Sequence, residues 1–242
     1  MITFKKHLDI EIFEGKIIKH RYPWHFHNCY TIIIVESGEI IYEFQDNIIK
    51  VGKAEVLILE PQHVHRNIIT QPTIYKALFV PIEYFESDGQ TKIATHKLDS
   101  QVAVEMMVAL LNMIELKYSK ITLTALIHKL CGLINNPDQG QKGGASSLTT
   151  GFIPEINHNL PIKKLAEEAH LSKFHFQRKF KKNCGLTIGQ LKQQEKTIKA
   201  KSLLENGKFP TDVAYELGYF DQSHFIKYFR KMWVVTPKYF KK

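Results

Sequence analysis

The sequence predicts an α+β protein in two parts. An N-terminal β barrel with a helical hairpin behind it comes first, followed by an all-α domain of two helix-turn-helix units joined by a linking helix. Three observations lead there. Short runs rich in β-branched and aromatic residues succeed one another before residue 81, separated by turn residues and without helical period. A pair of short helices is written twice near the end of the chain. The charge is also uneven: from Phe152 onward there are 18 Lys and Arg against 8 Asp and Glu, a net +10, whereas the earlier residues carry 15 against 16, a net −1. With 242 residues, 44% of them hydrophobic, the chain can build two modest cores.

The predicted strands are Tyr30–Val35, Glu39–Phe44, Asn47–Val51, Glu55–Leu59 and Tyr75–Val80, within a β pattern that runs from Ile2 to about Pro81. Ser37-Gly38, Asp46-Asn47, Gly52-Lys53, Pro61-Gln62 and Gln71-Pro72 supply the turns. Many short strands without intervening helices indicate a barrel or sandwich. From Gln101 to Tyr118 the pattern changes to steps of three and four, with Val102, Met106, Leu110, Met113 and Leu116 forming a seam. That seam either packs on the barrel or pairs two copies of the chain. A second helix, Ile121–Ile134, would close an antiparallel hairpin. Residues 135–151, rich in Gly, Pro, Ser and Asn, offer no apolar face and are expected to be a linker, which bounds a first domain at 1–134 and a second at 152–242.

In the second domain Leu165, Ala166 and Ala169 mark one buried helical face, Leu171 fills the corner, and Ser172 stands where an N-cap opens the next helix. Phe176 and Phe180, four apart, turn inward, which leaves Lys173, Phe174, Gln177, Arg178 and Lys181 outside. Shifted by 49 positions, Phe176, Arg178, Phe180 and Lys181 return as Phe225, Lys227, Phe229 and Arg230. Val213-Ala214 and Leu217 repeat the first helix, and Asp221 is the second N-cap. Between the copies, Thr187–Asn206 reads as one stiff helix stopped at Gly207. Some 18 residues span roughly 27 Å, enough to hold two reading helices about one turn of DNA apart.

Taken together, Leu165-Ala166, Leu171-Ser172, Gln177–Lys181, Gly185, Ala200, Leu203-Leu204, Val213-Ala214, Gly218-Tyr219, Asp221–Phe225, Phe229–Lys231, Thr236-Pro237 and Tyr239 resemble the AraC/XylS family of bacterial transcription regulators. Three positions depart from its pattern: Ile188 replaces a proline, Lys196 an arginine, and Val234 a glycine. The last matters physically, because a β-branched residue resists positive φ.

What the resemblance implies for the second domain agrees with its chemistry. Arg178 can grip guanine, Gln177 adenine, and Phe174 a thymine methyl; Gln222, Ser223, His224 and Lys227 occupy the matching face of the second copy. Lys173, Lys181, Lys182, Arg230 and Lys231 are expected on phosphates. Any one of these residues could instead be a solvated surface group.

In the first domain His25-Phe26-His27, Gly38, Gly52, Pro61 and His65 resemble the motifs of the cupin jelly-roll barrel that many such regulators carry. A metal-binding cupin adds a glutamate where this chain has Thr31 and Ile32, so no metal and no cofactor are expected, although His25, His27 and His65, with His63 as a fourth, retain imidazoles. An organic effector at the barrel mouth would meet Tyr22, Trp24, His25, His27, Tyr30, Tyr42 and His65, each of which could equally be core filling.

Cys29, Cys131 and Cys184 are isolated, which argues against zinc fingers and disulfides; a reducing, cytoplasmic setting is expected. No membrane segment is foreseen. The resemblance implies double-stranded DNA, a small organic effector, a second copy of the chain and RNA polymerase, as for an activator, as partners. The competing expectation is a metal-dependent cupin enzyme fused to a DNA-binding domain.

Overall fold

The computed structural model describes residues 2–85, 93–135 and 160–241. The chain divides into two compact units, one of residues 1–20 and 26–151, the other of 21–25 and 152–242. The expected linker falls outside the described residues except for Asn135, as does Phe152.

Ten strands are described: β1 Ile2–His7, β2 Ile10–Ile17, β3 His20–Arg21, β4 Tyr30–Ser37, β5 Glu39–Glu43, β6 Ile48–Gly52, β7 Val56–Leu59, β8 Arg66–Ile69, β9 Thr73–Val80 and β10 His96–Leu98. They form a six-stranded sheet, β1-β2-β9-β4-β7-β10, and a four-stranded sheet, β3-β8-β5-β6. The expected jelly-roll architecture is therefore two sheets, with β4 between β9 and β7 at the middle of the larger one. The β4–β5 connection requires Gly38: its φ is +82°, and a Cβ there would lie 2.5 Å from Thr73 Oγ1 and 2.6 Å from the Pro72 carbonyl.

Helices α1 (Gln101–Glu115) and α2 (Lys120–Gly132) make the expected hairpin. Ser119 caps α2 by accepting a hydrogen bond from Thr122 N. The hairpin covers one face of the larger sheet, where Ile10, Ile12, Tyr30, Ile32, Ile34, Val56, Ile58, Leu78 and Val80 pack with Ala103, Met107, Leu110, Ile114, Leu123 and Ile127 in one core. Neighbouring residues on a strand point to opposite faces, so Thr31, Ile33 and Val35 look away from the hairpin. Because β4 is enclosed on both faces, all of Tyr30–Val35 is buried, and the run reads as uniformly apolar rather than alternating.

Two sequence expectations are corrected here. Leu110 is not on an outward seam; it is fully buried in the hairpin core. At 3.6 residues per turn it lies roughly 80° around the helix from Val102, toward the buried stripe, while Ala109 lies within roughly 20° of Val102. The outward stripe is thus Val102, Met106, Ala109, Met113 and Leu116, with Val102 and Leu116 exposed and the two methionines half-buried. Tyr30 likewise belongs to the hairpin core, where it stacks on Phe85 with centroids 3.8 Å apart and its hydroxyl accepts from Ile93 N. It faces away from Thr31 and the second sheet.

The second unit holds α3 Ile162–Glu168, α4 Lys173–Cys184, α5 Ile188–Glu205, α6 Pro210–Glu216 and α7 Gln222–Trp233. The long helix α5 is the axis: α4, α6 and α7 all pack against it. It opens with a full capping box, in which Thr187 Oγ1 accepts from Gln190 N and Gln190 Oε1 accepts from Thr187 N. Ile188 follows the cap and is buried; a first-turn N–H has no helical partner, so proline is not required there.

Candidate DNA-binding and effector sites

Both reading helices are built alike. Ser172 Oγ accepts from His175 N at 3.3 Å at the start of α4, and Asp221 Oδ1 accepts from His224 N at 2.6 Å at the start of α7. Phe176 and Phe180 in α4, and Phe225 and Phe229 in α7, are buried with ring centroids 6.0 and 5.5 Å apart. That pins one face of each helix and turns the opposite one outward. Both helices end in a left-handed residue whose N–H returns to the fourth carbonyl back: Gly185 at φ 76° to Lys181, and Val234 at φ 65° to Arg230.

On the outward faces Lys173, Phe174, Arg178, Lys181, Lys182, Gln222, Ser223, His224, Lys227, Arg230 and Lys231 are exposed, and Gln177 is half-buried. Phe174 is 75% exposed, an unusual state for a phenylalanine on a helix whose other two are buried. The ring of His224 lies edge-on to Tyr228 at 4.8 Å and to Tyr219 at 5.8 Å, which fixes its direction. Two exposed residues escaped the sequence reading. His175 matches His224 under the 49-residue shift, a signal that the repeat already contained. Phe220 is 92% exposed directly before the Asp221 cap, where the 49-residue shift places the half-buried Leu171 in the first copy.

The second copy is tied to α5 by directional bonds. Gln193 Nε2 donates to the Tyr219 hydroxyl at 2.8 Å, Lys196 Nζ donates to the Gly218 carbonyl at 3.5 Å and sits 5.5 Å from the Tyr219 ring, and Trp233 Nε1 donates to the Thr197 carbonyl at 3.3 Å. Lys196 thus reaches the turn between α6 and α7 with a single ammonium. On the same helix, burial lifts the Glu195 carboxyl to about 6, against the pull of Lys192.

In the first unit His27, Tyr42 and His65 come together: His65 stands 5.4 Å from His27 and 5.8 Å from Tyr42, and Phe79 lies 5.0 Å from His27. Phe44 and His63, 4.4 Å apart, extend the cluster, with Phe44 6.0 Å from His65. His65 Nδ1–H donates to the His63 carbonyl at 2.7 Å, which orients its ring. His25 does the same toward the Pro23 carbonyl at 2.8 Å; burial pushes its pKa down to about 4, so it is a neutral imidazole near pH 7. Tyr22 is 6.1 Å from the His25 ring, and Trp24 is half-buried on the same segment.

Ligand nitrogens of His25, His27 and His65 lie within 4.8 Å of one another. Two of the three, His25 and His65, are oriented by Nδ1–H to carbonyl bonds, and imidazole nitrogens so arranged are a donor set that fits a divalent ion. The carboxylate that usually completes such a site is missing: Thr31 and Ile32 stand in its place, on opposite faces of β4. No thiol is activated, since burial pushes Cys29 and Cys131 up to about 12 and raises Cys184.

Comparison with known proteins agrees with this geometry. Residues 7–151 match the AraC-like ligand binding domain and residues 165–242 a helix-turn-helix domain. An uncharacterized HTH-type transcriptional regulator of Bacillus subtilis, YbfI, is 26% identical over 90% of this chain and 86% of its own length. The HTH-type transcriptional activator RhaR of Mannheimia succiniciproducens is 22% identical over 89% and 86%. Among solved structures, ToxT from Vibrio cholerae has the same fold with a TM-score of 0.59 at 12% identity, covering 96% of each chain. No described helix is long and apolar enough to cross a membrane. A ligand-binding barrel followed by a duplicated helix-turn-helix, matched along almost its whole length by regulators of one kind, makes the chain a member of the AraC family of transcription regulators, with an N-terminal ligand-binding domain and a C-terminal DNA-binding domain.

Proposed function

We propose that α4 and α7 enter successive major-groove segments of one DNA site. Arg178, Gln177 and Phe174 read bases from the first helix, and Gln222, Ser223, His224 and Lys227 from the second. Lys173, Lys181, Lys182, Arg230 and Lys231 bind phosphates and set the register. His175 and Phe220 join this surface. The observation that carries the reading is the repeated design: two capped helices with the same buried phenylalanine pair and the same outward cationic face, on one rigid axis. Selection of bound sequences from random duplexes tests it, and the expected result is a site with two short conserved blocks about one helical turn apart. Enrichment of no sequence would leave only a non-specific binder.

The chain works as a cytoplasmic homodimer and not as an enzyme. An effector in the barrel shifts the balance between arrangements of the dimer on DNA, and contact with RNA polymerase turns occupancy into transcription. The outward stripe Val102, Met106, Ala109, Met113 and Leu116 supports pairing through α1, because apolar side chains at that spacing gain by being covered. The domain limits 1–134 and 152–242, with a linker between, give each DNA-binding part freedom to meet its half-site. ToxT has been solved with an unsaturated fatty acid bound, which supports an organic effector for this chain as well.

A further inference from the structure

No large apolar side chain among the described residues is more exposed than Phe220, at 92%. Its backbone is held on both sides. Tyr219 before it is buried, with its ring 5.1 Å from Phe225, its hydroxyl accepting from Gln193 Nε2 and its N–H donating to the Ala214 carbonyl at 2.9 Å. Asp221 after it is the N-cap of α7 and accepts from His224 N. With both neighbours fixed, the phenyl ring is left in water beside the first turn of α7.

The fold does not need a ring there. The equivalent place in the first copy holds the half-buried Leu171. That copy exposes a different phenylalanine, Phe174, two residues past the Ser172 cap, and Phe174 corresponds to Ser223 under the 49-residue shift. Each reading helix therefore presents one bare phenyl ring at its N-terminal end, but the two stand three positions apart in the repeat. In a helix-turn-helix that end is the one that reaches base edges. A phenyl ring offers no hydrogen bond, and the apolar group that the major groove displays is the 5-methyl of thymine. The other outward residues of α7, Gln222, Ser223, Lys227 and Arg230, are exposed and polar or cationic. One apolar spot in a basic, hydrogen-bonding face suits a nucleic acid, whereas the centre of a protein interface is depleted of charge.

We propose that Phe220 is a specificity residue that packs on the 5-methyl group of a thymine in the block read by α7. This rests on α7 lying in the major groove, and it adds the base that the residue selects and the atom by which it does so.

The test uses the full-length protein and duplexes carrying its selected site, with deoxyuridine replacing each thymine in turn. That change removes the methyl group and nothing else. For the wild type at fixed salt, one replacement in the second block should weaken binding about fourfold, the value of one methyl group taken from water. Phe220→Ala should lose at least as much on the unsubstituted site, and the same deoxyuridine should then cost it nothing further. Phe220→Leu, which keeps an apolar side chain, should retain most of the thymine preference. Both variants should melt with the wild type, because so exposed a ring holds nothing in place. No deoxyuridine penalty in the second block, a penalty that Phe220→Ala leaves intact, or an equal loss from Phe220→Ala on cognate and scrambled duplexes overturns the proposal. So does a Phe220→Ala that binds every duplex as the wild type does, the result expected if the ring met a protein partner. A wild type that selects no sequence at all takes the groove reading of both helices down with it. One that selects two blocks without any methyl effect loses only the role of Phe220.

Discussion

Replacing Val234 by glycine is expected to stabilise the helical unit, and the chain carries its own control. Gly185 and Val234 end equivalent helices with nearly the same backbone, φ 76° and ψ −15° against φ 65° and ψ −15°, and each sends its N–H to the carbonyl four residues back. A non-glycine residue in the left-handed region costs roughly 1–2 kcal/mol, and branching at Cβ puts valine at the upper end. Glycine gives back roughly 0.5–1 kcal/mol through the greater freedom of its unfolded chain. Val234 is half-buried, so the contacts it loses are few. The net expectation is about 1 kcal/mol in favour of Val234→Gly, or roughly 4–8 °C in the melting of a unit of this size. Gly185→Val should lose about 1–2 kcal/mol by the same argument. Urea unfolding followed by Trp233 fluorescence, in a Trp24→Phe background, measures both. If Val234→Gly is neutral or destabilising while Gly185→Val is tolerated, left-handed strain does not govern these helix ends.

Other expectations follow from the surfaces and the buried charges. Arg178→Ala should cost about 1–3 kcal/mol of discrimination between cognate and scrambled duplexes, whereas Lys181→Ala should weaken both equally and flatten the salt slope by about one; equal losses from Arg178→Ala refute base reading. Glu195→Gln should stabilise the protein near pH 8. With the folded carboxyl raised to about 6 from an ordinary 4.5, the penalty is full above pH 6 and vanishes below about 4.5, so wild-type stability should gain on the variant's as pH falls through that window. Parallel melting curves of the two proteins across it would contradict the assignment. Ala109→Glu should convert a dimer to a monomer in analytical sedimentation without lowering the melting point, since Ala109 is exposed in the free hairpin; a dimer that survives it does not pair through α1.

How much of this was legible before the structure depended on the range of the interactions that decide it. Both reading helices, their Ser172 and Asp221 caps and the linking helix were readable because caps and a 3.6-residue period are local. Strand positions in the middle of the barrel were legible to within two residues: Tyr75–Val80 is the end of a strand that starts at Thr73. Facing was not. Tyr30 looked like a mouth residue beside Tyr42, but a strand enclosed on both sides gives no alternation from which to tell its faces apart. Leu110 failed for the same reason on a helix: two steps of four in succession drift toward the core, and only the hairpin's packing reveals which edge is covered.

Lys201 offers the sharpest way to separate packing from charge along the axis. Its residue is only 7% exposed; its ammonium lies 4.8 Å from the Trp233 ring and 5.3 Å from Phe240, with Glu205 3.7 Å away. A buried ammonium over two rings gains about 2 kcal/mol from them, yet taking it out of water costs a comparable amount or more. Its stem meanwhile fills space between α5 and the end of α7. The two electrostatic terms oppose each other, so the packing of the stem should decide the outcome. Lys201→Met keeps an unbranched chain against the same rings, adds a sulfur–aromatic contact and leaves the partly exposed Glu205 to water, so it should melt at or slightly above the wild type. Lys201→Ala, which removes the stem, should lose about 2 kcal/mol. Were methionine to prove as damaging as alanine, the charge itself would be what holds the second reading helix to α5, and the opposing-terms argument would be wrong at this site.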